Sequence, residues 1–187
     1  MHLAAMKELL ALSGDAQDAI DPWHAEATLD FIAQVIAMLG HGAHRVLDVG
    51  CGTGIAGEMF VALGCDYTGV TASSADLLEL RKRGLGGMRA EMSELPFPDG
   101  AFDLIWCRHA LEHALALPLT LVEMRRLAPI VAAVVPSPPN WLLQPGHFYT
   151  MEKTAWVHLF VQTGWRAEAV PCRESREYRW LLRREKG

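Results

Sequence analysis

Arg45-Val46-Leu47-Asp48-Val49-Gly50-Cys51-Gly52-Thr53-Gly54-Ile55-Ala56-Gly57-Glu58-Met59-Phe60 passes from a β-branched and apolar run through glycines at alternate positions into a helical pattern. The reading is strand, tight turn, helix. Glycine supplies the positive φ that such a turn needs and removes the Cβ from the path of an approaching ligand. The helix that follows points its unsatisfied N–H groups at the same place. The stretch therefore predicts a nucleotide-like ligand over the end of a first strand.

Outward from it the chain alternates strands and helices. Upstream, Leu3 to Ser13 has apolar residues at helical spacing, and Asp21-Pro22 starts a second helix that runs from Trp23 to Leu39 and stops at Gly40. Downstream, 65–70 reads as a second strand, and Ser73 or Ser74 caps a helix ending before Gly84. Strands follow at 87–91, 102–107 and 130–135, with a helix over 119–127. After the Pro-rich loop 136–145, Thr150 caps a helix over 151–163, and 165–172 and 178–183 are two last strands. The alternation predicts a mostly parallel sheet covered on both faces. The last two strands are joined by too few residues for a parallel crossover, so they form an antiparallel hairpin. The expected fold is α/β, a doubly wound seven-stranded sheet with one antiparallel strand and helices on both faces.

Length and composition fit one domain. A chain of 187 residues with 51% hydrophobic and 21% charged residues buries one core and is short for two. The net charge of −5 gives no general attraction to nucleic acid or to an anionic membrane. Cys51, Cys65, Cys107 and Cys172 are scattered, without metal-ligand spacing, which suits a reducing compartment. With no signal-like or membrane-length apolar run, the expected location is the cytoplasm. The single domain, 1–187, divides into N-terminal helices or lid (1–40), a cofactor-binding core (45–135) and a substrate-side loop, helix and hairpin (136–187).

The glycine run fits two patterns. Gly52-Thr53-Gly54-Ile55-Ala56-Gly57 matches the dinucleotide fingerprint, and Asp48-Val49-Gly50-Cys51-Gly52-Thr53-Gly54 matches D-x-G-x-G-x-G. The neighbours separate them. Ala90-Glu91-Met92-Ser93-Glu94-Leu95-Pro96-Phe97-Pro98-Asp99-Gly100-Ala101-Phe102-Asp103-Leu104-Ile105, then Leu111-Glu112-His113, then Glu123-Met124-Arg125-Arg126-Leu127, strongly resemble the class I S-adenosylmethionine-dependent methyltransferases. The match is best with the small-molecule type 11 or UbiE-like group, over Arg45 to Val135.

That resemblance implies a Rossmann-like fold and methyl transfer from S-adenosylmethionine, with S-adenosylhomocysteine as product, to a small-molecule acceptor and not to nucleic acid or at a membrane. It implies that Gly50, Cys51, Gly52 and Gly54 lie beneath the methionine part of the cofactor, with Asp48 holding that loop or the amino group. It places Glu91 and the Met92 backbone at the adenine, and Cys107 and Arg108 by the methionine moiety. The family's acid at the end of the second strand is replaced by Thr71, so a Thr71→Asp change is expected to tighten cofactor binding. The same substitution leaves two further readings, a catalytically silent S-adenosylmethionine-binding domain and an NADP-binding oxidoreductase.

His109-Ala110-Leu111-Glu112-His113 also fits the zinc-peptidase pattern H-x-x-E-H. It lacks an identifiable distant glutamate ligand, so no metal is expected; His113 reads as a brace and His109 as a residue of the site mouth. If the acceptor needs a base, His147 and His109 are the candidates. Trp23, Trp141, Phe148 and Tyr149 fall in segments expected to cover the acceptor.

Overall fold

Alternate residues of the first strand face different cores. In β1 (Arg45–Val49), Leu47 and Val49 join one buried cluster, while Val46 joins the other. The same period of two recurs in β4 (Leu104–Arg108), where Ile105 and Cys107 face one way and Leu104 and Trp106 the other. A sheet with apolar residues on both faces needs a helical layer on each. The computed structural model, which describes residues 22–40, 44–138, 146–172 and 176–185, shows both layers. The helix expected over 3–13, Trp141 and the Trp23 side chain lie outside those residues.

One layer holds α1 (Pro22–Leu39), α2 (Ile55–Ala62) and α3 (Ser74–Lys82), which bury Phe31, Ile32, Phe60 and Leu80. The other holds α4 (Leu117–Leu127) and α5 (Lys153–Gln162), which bury Leu121, Met124, Trp156 and Phe160. Between them, β2 (Asp66–Thr71), β3 (Gly87–Arg89), β5 (Ile130–Pro136), β6 (Trp165–Val170) and β7 (Glu177–Arg184) complete a seven-stranded sheet of order β3-β2-β1-β4-β5-β7-β6. The first five strands are parallel; β7 runs antiparallel to both β5 and β6. The order reverses between β1 and β4, where the crevice of a doubly wound sheet opens.

The expected fold is the observed one, with shifted boundaries. Ser73 caps α3 by accepting from the Asp76 N–H at 3.2 Å. α4 begins two residues early, at Leu117, because Pro118 is tolerated in a first helical turn. α5 begins late: Thr150 is not its cap. The N–H groups of Phe148 and Tyr149 donate to the Glu112 carbonyl, at 2.8 and 3.2 Å, and keep that segment out of the helix, which Glu152 caps.

Candidate active site

The functional end of the sheet is where β1, β2, β4 and β5 finish. After β1 the N–H groups of Gly50 and Cys51 both donate to the Val70 carbonyl, at 2.8 and 3.0 Å, which pins the turn to β2. Gly50 has φ +75°, and a Cβ there would stand 2.3 Å from Ala110 Cβ, so the position admits only glycine. Gly52 has φ +51° with nothing within 4 Å of a would-be Cβ: its open face looks into a cleft. That cleft, of about 220 Å³, is floored by Gly50–Thr53 and walled by Asp48, Trp106 and Arg108 from the strands and by Ala25 and Thr28 from α1.

Two charged groups share the cleft. Asp48 is 2% exposed. Burial pushes its carboxyl up to about 7, while the Tyr67 hydroxyl, donating at 2.9 Å, pulls the other way. Arg108 is held below the usual guanidinium range by burial, against the attraction of Glu177 at 3.1 Å. Among the described residues its Nε is buried without a hydrogen-bond partner.

Glu177, which pairs with Arg108, is the hub of an ion-pair cluster beside the cleft. Burial would raise it, but His109 Nε2 at 3.2 Å, Arg108, and Arg179 Nε at 2.9 Å bring it down to about 2. Arg179 in turn reaches Asp30 of α1 at 2.9 Å. His109 bridges two acids, since its Nδ1 lies 3.3 Å from Glu112 Oε1. Burial lowers its pKa, the two carboxylates outweigh that, and the imidazole is held toward its charged form. It is also the one described non-glycine residue with positive φ, +50°. Sequence reasoning missed Glu177 and Arg179. Their only signal was an acid at the head of a basic strand, 69 positions from Arg108.

The cleft thus gathers Asp48, Gly50, Cys51, Gly52 and Arg108. Gly54, φ +88°, instead packs against Leu80 and Leu85 as the N-cap of α2. The Cys107 side chain is wholly buried in the core, and burial drives its thiol far up. At the end of β2, Thr71 is buried and its hydroxyl donates to Asp76 Oδ2 at 2.9 Å. The acid missing at position 71 has a counterpart there, supplied from the first turn of α3. Glu91 is exposed and accepts from both the N–H and the hydroxyl of Ser93, while Met92 is half-buried against the core. His147 packs edge-to-face on His113, with ring centroids 4.7 Å apart. Phe148 is exposed and Tyr149 half-buried against the core. No helix among the described residues is long and apolar enough to cross a membrane.

Comparison with known proteins fits this geometry. Residues 47–129 match a family model described as a methyltransferase domain. The ubiquinone biosynthesis O-methyltransferase of Bordetella avium is 32% identical over 121 residues, 60% of this chain and 49% of that protein. The chain therefore spans about half the length of that curated relative. Among solved structures, a Pyrococcus horikoshii protein superposes with TM-score 0.76 at 17% identity, covering 91% of this chain and 93% of the other. The magnesium protoporphyrin IX methyltransferase of Synechocystis, solved with bound S-adenosylhomocysteine, gives 0.70 at 17%, covering 87% and 84%. At such identities these structures speak for the fold, and the matched sequence speaks for the family. Over residues 47–129 the chain is similar to a methyltransferase domain, and its seven-stranded fold is the one that S-adenosylmethionine-dependent methyltransferases of solved structure share.

Proposed function

We propose that the chain moves a methyl group from S-adenosylmethionine to a small-molecule acceptor, and that it does so as one domain. The observation that carries the reading is an acid and a base on one glycine-floored cleft: Asp48 and Arg108. An α-amino acid presents an ammonium and a carboxylate to be met by just such a pair. Asp48 would hold the ammonium of the cofactor's methionine end, and the buried, unpartnered Nε of Arg108 suits its carboxylate. The open face of Gly52 admits the ligand against bare backbone. At about 220 Å³ the cleft is below the ~300–1,000 Å³ of drug-sized ligand sites, so it takes one end of the cofactor. The other end would lie toward Thr71, Asp76, Glu91 and the Met92 backbone.

When bound, the cofactor supplies a methyl group already activated by a positive sulfur. What remains for this chain is alignment and exclusion of water. α1 supplies part of that cover through Ala25 and Thr28, and the Arg179–Asp30 pair ties it to β7. For an acceptor that must lose a proton, His147 is the better of the two proposed bases. Both ring nitrogens of His109 face carboxylates, of Glu112 and Glu177, which favours its charged form and leaves it the poorer proton acceptor. Phe148, exposed beside His147, Tyr149, Trp23 and Trp141 are the proposed acceptor contacts.

Calorimetry with S-adenosylhomocysteine tests the cofactor. One site of micromolar affinity is expected, with no heat from NADP; the reverse result overturns the reading. Gly52→Asn fills open space rather than core, and asparagine tolerates the positive φ of +51°, so it should leave the fold intact and weaken binding more than tenfold. Methyl transfer to an acceptor panel then separates an enzyme from a silent binder.

A further inference from the structure

We infer that Glu112, His113 and His147 form a binding site for a divalent first-row cation of the zinc type. One donor atom from each of the three lies within 4.8 Å of the others. Ligands of a tetrahedral zinc site stand roughly 3.4 Å apart, given metal–ligand lengths of about 2.1 Å. Side-chain adjustment alone spans that difference. Two imidazoles and a carboxylate are a donor set for zinc and its neighbours rather than for magnesium or calcium.

The carboxylate points to a ligand on its own account. Glu112 is 0% exposed, and among the described residues neither of its oxygens receives a hydrogen bond of sound geometry. Its neighbour His109, at 3.3 Å, is shared with Glu177. A buried carboxylate in that state is costly, and a cation bound to it offsets the cost.

The histidines are arranged as ligands. His113 Nδ1 is 2.8 Å from the Gly146 carbonyl. A carbonyl only accepts, so Nδ1 carries the proton and the lone pair sits on Nε2. Metal-bound histidines are oriented in this way, by giving the other ring N–H to a carbonyl or carboxylate. The two pieces of chain are also stapled together. Glu112 and His113 sit in the 3₁₀ turn Leu111–His113, and the segment carrying His147 is bonded to it through Phe148 N–H and Tyr149 N–H on the Glu112 carbonyl. The H-x-x-E-H pattern lacked a distant partner in the sequence; the fold brings one, 34 positions on from His113. With a cation bound, His147 acts as a ligand rather than a base, and the inference rests on the methyltransferase reading for nothing else.

The test uses the full chain, free of tag and metal. Zn²⁺ is titrated by calorimetry and Co²⁺ by visible absorption. One equivalent should bind with micromolar affinity or better, and the Co²⁺ spectrum should show no thiolate charge-transfer band. His147→Gln and Glu112→Gln should each weaken binding at least tenfold, while Cys172→Ser leaves it unchanged. Should Glu112→Gln fail to fold, His113→Ala, at an exposed position, makes the same test. Absence of binding, binding unchanged in the histidine variants, or a thiolate band would overturn the site. S-adenosylhomocysteine binding, measured on the same samples, reports the cofactor reading separately.

Discussion

Asp48 and Glu177 are both carboxylates almost without exposure, yet their protons are held in opposite ways. Asp48 has one neutral donor, Tyr67, and burial wins; its carboxyl rises to about 7. Glu177 suffers burial too, but Arg108, His109 and Arg179 surround it, and it falls to about 2. Burial sets the cost of the charge, and partners decide whether it is met from within. Glu177 is met by the protein's own cations and holds the ion-pair cluster together. Asp48 has Tyr67 as its hydrogen-bond donor, and in the proposed reading the cofactor's ammonium would supply the cation.

The largest consequence is on stability. Glu177→Ala strands Arg108 and Arg179 and unties α1, whose Asp30 is reached through Arg179; about 3–5 kcal/mol should be lost in urea unfolding. The folded pKa of Glu177 lies below its unfolded value, so its contribution is present above about pH 4.5 and is lost as pH falls toward 2. The variant should lack that acid limb. A loss below 1 kcal/mol would mean that the cations find other partners.

Asp48→Asn should act with the opposite sign. A raised carboxyl stabilises the fold below its unfolded pKa of 3.8, and that contribution fades as pH rises through about 7. The variant, which cannot ionise, should therefore gain on the natural chain by about 3 kcal/mol between pH 5 and pH 8. A pH-independent difference would place the ionisation elsewhere.

The two acids also differ in how far the sequence foretold them. Asp48 stands in one contiguous stretch with the glycines it serves, where local chemistry writes strand, turn and helix within seven residues. The sheet was legible for the same reason: alternating apolar residues, and glycines at helix ends. Glu177 and the pairing of His147 with Glu112 and His113 were not legible, because long-range pairing assembles them. β7 meets β5 only after the chain has gone round α5 and β6. The late start of α5 was hidden likewise, since Thr150 is a sound cap locally and the bonds that overrule it come from Glu112.

The contrast extends to the ligand. If the cofactor's ammonium takes the place of the missing cation, binding must draw the proton off Asp48. Affinity for S-adenosylhomocysteine should then rise roughly tenfold from pH 6 to pH 8 and stay flat in Asp48→Asn. A flat profile in the natural chain would separate Asp48 from the amino group.

The smallest effect is expected at the third acid, Asp76. The sequence alone made Thr71→Asp a gain, by restoring an acid to the end of β2. The contact between Thr71 and Asp76 argues for the opposite sign. The Thr71 hydroxyl already donates to Asp76, so the change removes that donor and sets two carboxylates against each other. Ser73 still caps α3, so the fold should hold while cofactor affinity drops by about threefold, an ordinary cost for one lost hydrogen bond. Asp76→Asn should weaken binding by a similar factor, because it removes the acid that the Thr71 hydroxyl holds at the end of β2. Calorimetry on the two variants decides which position serves the ligand. Tightening in Thr71→Asp, with Asp76→Asn unchanged, would return the role to position 71 and leave Asp76 as a mere partner of the Thr71 hydroxyl.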